Sequence, residues 1–549
     1  DAPALSRFLL DQLWEAGVDT VFGIPGDFIL RLCRVIEEDP RFAFRTLSHE
    51  PGVGFAACGA ARGGRNLAVA CATYGAGALN MVNPIAAAWA EKTPVLVLTG
   101  GPSADERESG LLVHHQVKSF DSQCRIFREV TAYQAVLDDP ETAADRVRYA
   151  IDVCRLYSLP VYLEMPRDMV DRPVVVSLPR QLTVPTAPGA VAEAAEEALA
   201  RLAAARRPVL VVGVEVHRFR LERQATALAE RLGVPVVSTF MGRGTFPDDH
   251  PAFAGVYLGP ASQPGVRELV ESSDGLLFLG ALLSDTNMGV HLKAIDPRRV
   301  TRAVSRAVHM GHARYDDVPL PDFVAALLAR HDGGALAAAA PAFGRRRFEV
   351  AGDEPAAGPI RVGALVAEIN RSFAADGEMP VVADTGDSLF ATHQIDTQEV
   401  VASAYYATMG FGMPAALGFA AATGRRPLVL AGDGAFQMTG GELIHAARWE
   451  VAPIVVVLNN ASWEMLQSFL PTGYNELPDG RYAEVARLWG ARAWRTATAA
   501  DFRAALAEAR GAGGPCLIEV PLAKGDVSET LHIFTRSVGN TPPPPEPTR

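Results

Sequence analysis

Two polar segments, each placed directly after an apolar run, carry the clearest chemical signal in this sequence. Gly432-Asp433-Gly434 follows the run at 427–431, and Asn459-Asn460 follows the run at 453–458. The stretch from Thr439 to Glu450 has helical periodicity, which predicts a strand, a crossover helix and a parallel strand. Asp433 and Asn460 should then lie side by side at the carboxyl ends of the two strands. A carboxylate and an amide oxygen there suit Mg²⁺ that also binds phosphate, although a turn aspartate in an ordinary α/β unit is the simpler alternative.

A second glycine-containing turn, Gly75-Ala76-Gly77, follows a strand-like stretch as dinucleotide-binding loops do. The third position of that motif is Asn80 rather than Gly or Ala, and no acidic residue ends a second strand about 20 residues further on. The sequence therefore argues against a bound nicotinamide dinucleotide.

The composition is typical of a globular protein with several domains. At 549 residues the chain is too long for one core and predicts about three domains. A formal net charge of −12 argues against a nucleic-acid-binding surface. The six cysteines lack Cys-x-x-Cys spacing, which favours free thiols, and the apolar runs are shorter than the roughly 20 residues of a membrane span. We expect a cytoplasmic protein that binds neither nucleic acid nor membrane.

Short apolar strands alternate with amphipathic helices, which predicts open parallel sheets covered on both faces. The clearest strands are at 67–72, 95–99, 209–213, 234–238, 275–280 and 381–383. Two stretches without periodicity, 177–189 and 331–359, indicate linkers. We therefore predict an α/β fold of three doubly wound parallel-sheet domains, at 1–178, 190–332 and 358–535, followed by a Pro-rich tail at 536–549.

This layout, with candidate chemistry in the first and third domains, resembles the thiamine diphosphate (ThDP)-dependent 2-oxo acid decarboxylases over nearly the whole chain. Asp433 and Asn460, 27 residues apart, are similar to the diphosphate and magnesium motif of these enzymes. Ser48-His49-Glu50 resembles their activating glutamate, and the segments at 22–27 and 114–116 resemble the decarboxylase branch. The resemblance implies ThDP and Mg²⁺ as cofactors.

In this resemblance Glu50 shares a proton with the aminopyrimidine ring of ThDP, whereas an isolated glutamate before a helix would be a solvated charge. Asp27, Glu50, His114 and His115 resemble the set that relays protons to the enamine left after CO₂ departs. Adjacent side chains of an extended loop point in opposite directions, so one imidazole is expected at the substrate and the other at a partner such as Asp27. A turn aspartate and two surface histidines are the alternatives.

The resemblance also assigns residues to the cofactor, the metal and the substrate. Cofactor contacts are expected from Glu50, Thr73, Thr385, Asp387, Ala407, Met409, Gly432, Gly434, Ala435 and Met465. The expected metal ligands are Asp433, Asn460 and the backbone carbonyl of Ser462. The expected substrate pocket contains Gln116, Met465 and Leu466. Met409 would be an apolar wedge beneath the cofactor, where a core methionine is the simpler interpretation.

One position departs from the pyruvate decarboxylases, which carry a glutamate six residues after the metal asparagine. Leu466 stands there, and Glu464, two residues earlier, should point elsewhere if the stretch is helical. The substitution resembles the phenylpyruvate (indolepyruvate) decarboxylases, in which an aspartate of the middle domain takes over that function. Asp285 fits this role, although it could instead cap a helix.

The resemblance therefore implies non-oxidative decarboxylation of a 2-oxo acid, aromatic ones such as phenylpyruvate or indole-3-pyruvate above all, to an aldehyde and CO₂. The alternatives are a pyruvate or branched-chain 2-oxo acid decarboxylase, a ThDP carboligase, and a catalytically idle protein that keeps only the sheets. In this family the activating glutamate and the metal loop meet across a subunit interface, so a homodimer or homotetramer is expected.

Overall fold

A computed structural model of the protein describes residues 2–64, 67–178, 186–262, 264–289, 294–331, 333–334, 336 and 359–538. It contains three β-sheets, and each lies within one of the three segments that the sequence predicts as domains. The predicted tail from residue 539 onward and most of the two predicted linkers lie outside the described residues. The domain boundaries themselves stay predictions.

The N-terminal sheet has six parallel strands. They are β1 (Thr20–Gly23), β2 (Ala43–Thr46), β3 (Ala68–Ala72), β4 (Val95–Gly101), β5 (Gln134–Val136) and β6 (Val161–Pro166), in the spatial order β2-β1-β3-β4-β6-β5. Its helices are α1 (Leu5–Glu15), α2 (Leu30–Glu38), α3 (Glu50–Arg62), α4 (Ala76–Asn80), α5 (Val82–Ala90), α6 (Ala104–Glu108), α7 (Ser122–Arg128) and α8 (Ala143–Tyr157). Strands β3 and β4 are buried along their whole length, because helices pack on both faces of the sheet.

The middle sheet has seven strands and is mostly parallel, as the sequence predicted, with two antiparallel pairings at one edge. Its strands are β7 (Pro208–Val212), β8 (Val236–Thr239), β9 (Phe253–Tyr257), β10 (Gly275–Leu279), β11 (Val300–Val304), β12 (Ala307–Met310) and β13 (Ala313–Asp316), in the order β13-β12-β11-β10-β7-β8-β9. Its helices are α9 (Pro188–Ala204), α10 (Val214–Arg218), α11 (Glu222–Leu232), α12 (Pro264–Glu271), α13 (Asp285–Met288) and α14 (Leu320–Arg330). Strands β12 and β13 are antiparallel, because tight turns at Ser305 and Gly311 cannot connect parallel strands.

The C-terminal sheet repeats the N-terminal topology. Its six parallel strands are β14 (Val381–Ala383), β15 (Val400–Ala402), β16 (Leu428–Gly432), β17 (Ile454–Asn459), β18 (Arg492–Arg495) and β19 (Cys516–Pro521), in the order β15-β14-β16-β17-β19-β18. Its helices are α15 (Val362–Asp376), α16 (Asp387–Ala391), α17 (Gly412–Thr423), α18 (Asp433–Thr439), α19 (Glu464–Phe469), α20 (Tyr482–Leu488), α21 (Ala499–Gly511) and α22 (Glu529–Ser537). The first and third domains, which both carry candidate chemistry, thus share an identical strand order.

The crossover between β16 and β17 differs from the predicted helix over 439–450. Helix α18 begins at Asp433 and ends at Thr439, and a 3₁₀ segment, Gly440–His445, followed by a turn completes the connection. Two adjacent glycines, Gly440 and Gly441, disfavour a continuous α-helix at this point. The first turn of α18 consequently lies directly at the end of β16, with Asp433 as its first residue.

Helices α3 and α17 pack so closely that the N-terminal and C-terminal domains share one hydrophobic core. A Cβ atom at Gly59 would overlap the carbonyl oxygen of Ala415, and a Cβ atom at Gly418 would overlap that of Ala56. The two backbones are therefore in direct contact at the crossing, and glycine is required on both sides.

A buried ion pair of the N-terminal domain also contacts the C-terminal domain. The side chains of Arg62 and Glu91 are 3% and 1% exposed, and Arg62 Nη2 lies 2.7 Å from Glu91 Oε2. The other oxygen of Glu91 accepts hydrogen bonds from the backbone N–H groups of Tyr405 (2.8 Å) and Tyr406 (2.9 Å). The loop at 403–409 is therefore held in place by the N-terminal domain.

All six cysteines are free thiols, five of them buried and Cys124 partly exposed. Among the described helices, none combines the length and the apolar character needed to cross a membrane.

Replacing Gly59 by alanine should destabilise the protein, although alanine is normally the better helix former. We expect an overpacking cost of about 1–3 kcal/mol, measured as a lower midpoint of thermal unfolding. Gly363→Ala is the matched control, because Gly363 also lies in a helix but has open space around it. The control should unfold at or above the wild-type temperature. Unfolding of Gly59→Ala at the wild-type midpoint would contradict the close crossing.

Candidate active site

A cavity of about 280 Å³ lies at the carboxyl ends of β14, β16 and β17. Parallel strands bring the segments that follow them to the same edge of a sheet, which is where ligands bind in open α/β folds. Every residue of the C-terminal domain that the sequence assigned to cofactor, metal or substrate lines this cavity: Thr385, Asp387, Ala407, Met409, Gly432, Asp433, Gly434, Ala435, Asn460, Ser462, Met465 and Leu466.

Asp433 and the segment at 460–462 adjoin in this cavity. Gly432 and Leu458 are paired in register on adjacent strands, so the residues that follow them lie together. Asp433 is buried, and its Oδ1 accepts a hydrogen bond from the N–H of Gly434 at 2.8 Å. Burial raises the pKa of Asp433 to about 6, although hydrogen bonds from backbone N–H groups oppose the shift.

The other oxygen of Asp433, Oδ2, is buried and has no hydrogen-bond partner. A buried carboxylate oxygen left unpaired is costly, and a bound cation would satisfy it. Asn460, with its amide oxygen, lines the same cavity, and carboxylate and amide oxygens are ligands that hard divalent cations prefer. The residues present therefore fit a magnesium ion.

Asp384 is a functional residue that the sequence assignment omitted. Its buried carboxylate accepts hydrogen bonds from the N–H groups of Gly410 (3.0 Å) and Gly412 (2.7 Å). Burial raises the pKa of Asp384 to about 6. These bonds hold the loop that carries Met409 against the end of β14. The signal was an aspartate directly after a buried strand, which is the signal that identified Asp433.

Glu464 corrects a sequence expectation. The residue was expected to point away, but it is 8% exposed and lines the cavity. Because α19 begins at Glu464, its first turn curves around the cavity and places this side chain at the wall. Its Oε1 accepts a hydrogen bond from the N–H of Gly525 at 2.9 Å. Glu464 thereby ties the helix that carries Met465 and Leu466 to the segment after β19.

A second group of predicted residues lies in the N-terminal domain. Nε2 of His114 is 2.5 Å from Oδ2 of Asp27, so the predicted contact is confirmed. Burial alone would raise the pKa of Asp27, but the hydrogen bond from His114 and the charges of both histidines outweigh it and lower the pKa. The expectation that the two imidazoles point in opposite directions is wrong. His115 has a left-handed backbone (φ 66°), and the ring centroids lie 5.0 Å apart.

Glu50 is the first residue of α3, as the sequence indicated, and Asn80 Nδ2 donates a hydrogen bond to its Oε2 at 3.1 Å. Thr73 packs beside it, since a Cβ atom at Gly77 would contact both Thr73 and Glu50 at about 3 Å. Ser48, two residues before Glu50, donates its N–H to Glu442 Oε2 of the C-terminal domain at 2.9 Å. The segment that carries Glu50 is therefore fixed from both domains.

The two groups of residues form two half-sites in one chain. Of the described residues, only those of the C-terminal domain line the cavity, so Asp27, Glu50, Thr73, His114 and His115 stand apart from it. The half-sites differ in chemistry. One combines a buried carboxylate, an amide and small residues with an apolar wall, and the other combines carboxylates with imidazoles.

Two further predicted residues are assigned to neither half-site by their contacts. Gln116 folds back on its own loop, where its Oε1 accepts a hydrogen bond from the N–H of Val113 at 3.2 Å. Asp285 is exposed at the start of α13, and the residue that caps this helix is Ser284. Asp285 Oδ1 also accepts a hydrogen bond from the N–H of Thr286 at 2.8 Å, so the helix-capping alternative stays open and the role of Asp285 stays a prediction.

Comparison with known proteins gives a consistent identification for all three domains. Residues 4–125 match the thiamine pyrophosphate enzyme N-terminal TPP binding domain, residues 195–330 match the central domain, and residues 364–520 match the C-terminal TPP binding domain. An indole-3-pyruvate decarboxylase of Azospirillum brasilense is 43% identical over 97% of this chain and 98% of its own. Pyruvate decarboxylase 1 of Zea mays is 29% identical over 99% of this chain and 92% of its own. Pyruvate decarboxylase 1 of Oryza sativa subsp. indica is 28% identical over 98% and 92%.

These matches cover the sheets that build both half-sites and leave no domain of the chain unexplained. The chain belongs to the thiamine diphosphate-dependent 2-oxo acid decarboxylases, and it is similar over nearly its whole length to an indole-3-pyruvate decarboxylase.

Proposed function

We propose that this enzyme decarboxylates aromatic 2-oxo acids, such as phenylpyruvate or indole-3-pyruvate, to the aldehyde and CO₂, using ThDP and Mg²⁺. The observation that carries the proposal is the composition of one cavity. Asp433, with its unpaired buried oxygen, shares that cavity with the apolar side chains of Met409, Met465 and Leu466. The similarity to a relative named for indole-3-pyruvate supports the aromatic substrate class.

ThDP, when bound, supplies the electron sink that stabilises the negative charge left as CO₂ departs. Asp433, Asn460 and the carbonyl of Ser462 would hold Mg²⁺, which in turn would hold the diphosphate. The glycines at 432 and 434 keep side chains away from the phosphate path, and Met409 would press on the cofactor from below. The chain thus contributes binding and orientation on this side.

The N-terminal half-site would move protons. Glu50 would hold a proton facing the aminopyrimidine, with the hydrogen bond from Asn80 fixing its position. The pair of His114 and Asp27 would deliver protons to the reacting carbon, because a histidine bonded to a carboxylate can donate and accept near neutral pH. Proton transfer would therefore be separated in sequence from cofactor binding.

Since the half-sites stand apart within one chain, we propose that two chains complete each active site, as a homodimer or a homotetramer. The cytoplasmic location expected from the sequence stays part of this proposal. Asp285, exposed at the start of α13, would reach the substrate only in the completed site.

The substrate class is tested by kcat/KM for phenylpyruvate, indole-3-pyruvate and pyruvate, with the products identified. Because an aromatic ring would bury apolar surface against Leu466, we expect the aromatic acids to exceed pyruvate by about 10- to 200-fold. Leu466→Glu should reduce that preference, whereas Leu488→Glu, at a position 86% exposed, should leave it unchanged. A preference for pyruvate, or an acyloin as the main product, would overturn the proposal.

Glu50→Gln should slow the exchange of the cofactor C2 proton by a factor of about 10²–10⁴, because glutamine keeps the shape but cannot exchange a proton with the ring. Exchange is followed by NMR after rapid quenching. Glu38→Gln, an exposed glutamate of the same domain, serves as the control and should exchange at the wild-type rate. Wild-type exchange in Glu50→Gln would remove Glu50 from the proposed role.

Asp433→Ala should yield folded protein that retains neither Mg²⁺ nor ThDP, because the diphosphate would lose the cation that neutralises it. Metal analysis, bound-cofactor mass and circular dichroism of the purified variant measure the three properties. Asp376→Ala, an exposed aspartate at the end of α15, should keep both ligands. Retention of ThDP and Mg²⁺ by Asp433→Ala would place the metal site elsewhere.

A further inference from the structure

Glu164 is a fully buried carboxylate on β6, surrounded by the buried polar groups of Thr99, Tyr162 and Gln123. Its Oε1 accepts a hydrogen bond from Arg107 Nη2 at 2.7 Å, and its Oε2 accepts one from the Tyr162 hydroxyl at 2.8 Å. Gln123 Nε2 lies 3.4 Å from the same Oε2 and 2.6 Å from the Tyr162 oxygen. Burying a charge costs free energy, and this one is retained with a full set of partners.

Two of the three partners of Glu164, Arg107 and Gln123, stand at the two ends of one segment, while Tyr162 lies on the same strand as Glu164. Residues 102–121, here called the histidine loop, connect β4 to α7 and carry His114 and His115. Arg107 lies near the beginning of the loop, and Gln123 lies just beyond its end. Arg107 also packs over the ring of Phe120, 5.7 Å from its centroid. Both ends of the loop are therefore bound to one buried group.

Between these ends the histidine loop is largely exposed. Leu111 and Leu112 are 73% and 92% exposed, and the histidines are exposed as well. Between residues 109 and 118, the described contacts of the loop with the rest of the domain are mainly two. His114 is hydrogen-bonded to Asp27, and both imidazoles pack against the ring of Phe28. The position of the histidines thus depends strongly on how the two ends of the loop are fixed, because closing a long loop costs conformational entropy that its few internal contacts do not offset.

Gln123 extends the arrangement to the second part of the half-site. Its Oε1 accepts a hydrogen bond from the N–H of Gly75 at 2.6 Å, and Gly75 follows Thr73 in the turn after β3. Gly75 in turn contacts the backbone of His115, because a Cβ atom there would overlap the His115 carbonyl oxygen. The network under Glu164 therefore aligns the histidine loop with the turn that carries Thr73.

The C-terminal domain also has a buried glutamate on the strand that corresponds to β6. Strands β6 and β19 occupy the same position in the identical strand order, and Glu519 on β19 is also fully buried. Glu519 accepts hydrogen bonds from Asn459 Nδ2 at 2.8 Å and from the N–H of Ala483 at 2.9 Å. Asn459 directly precedes Asn460. In each domain, a buried glutamate on this strand holds a segment that carries site residues.

We propose that Glu164 is a positioning residue for the reaction, which fixes both ends of the histidine loop and thereby sets the location of His114 and His115. This inference rests on the proposed proton-transfer role of the two histidines. Glu164 itself is buried on β6 and acts through Arg107 and Gln123.

Glu164→Gln tests the proposal, because glutamine keeps the volume and the bonds to Tyr162 and Gln123 but loses the charge that Arg107 pairs with. A misplacement of the histidines by about 1 Å should lower kcat/KM by roughly 100-fold. The exchange of the cofactor C2 proton should stay at the wild-type rate, since glutamine keeps the bond to Gln123 that supports the turn after β3. Trypsin should cleave the folded variant faster at Lys118, which lies within the loop.

Glu215→Gln is the matched control, because Glu215 is equally buried in the middle domain and accepts a hydrogen bond from the N–H of Ser305 at 2.7 Å. Glu215→Gln should lose about as much thermal stability as Glu164→Gln, but trypsin should cleave it at Lys118 at the wild-type rate.

Arg107→Met should reproduce the effect of Glu164→Gln, and the double variant should lose no more kcat/KM than Glu164→Gln alone. Additive losses, or cleavage at Lys118 at the wild-type rate, would overturn the proposal. The cleavage assay needs no turnover, so it separates this failure from a failure of the proposed function, which would appear as a wild-type enzyme without decarboxylase activity.

Discussion

The buried ion pair between Arg62 and Glu91 is the interaction on which the arrangement of the active-site segments depends. Both residues belong to the N-terminal domain, and the carboxylate of Glu91 also fixes the backbone of a loop in the C-terminal domain. Removing one partner of such a pair leaves a buried charge, which typically costs about 3–5 kcal/mol. The loop that ends in Met409 can therefore take its position only when the N-terminal and C-terminal domains are correctly docked. Docking of these two domains and assembly of the cofactor cavity therefore occur together.

The residues at strand ends could be predicted from the sequence because parallel sheets impose a simple rule. Strand length and apolar character located β16 and β17, and their parallel register then brought Asp433 beside Asn460 without further information. Thr385 and Ser462 were assigned by the family resemblance, and both lie shortly after strands of the same sheet. Local sequence patterns, each within a few residues of a buried strand, therefore predict this part of the site.

The remainder depends on backbone geometry and on contacts between distant segments. The positive φ of His115 brings both imidazoles to one side, and no local pattern specified it. Glu464 faces the cavity because α19 begins at that residue, and a boundary shift of one residue would have turned it away. The contact of Ser48 with Glu442 joins positions 394 residues apart, so periodicity and motif spacing could not indicate it.

The glycine crossing of α3 and α17 has a consequence for how the chain is made. Helix α17 begins 350 residues after α3 ends, so at about 5–20 residues per second a ribosome needs roughly 20–70 s to supply the partner surface. During that interval the N-terminal domain exposes the small apolar face of α3, while the middle domain can already fold on its own core. Completion of the first domain therefore waits for the last one, and a chain interrupted before α17 retains an uncovered apolar surface prone to association.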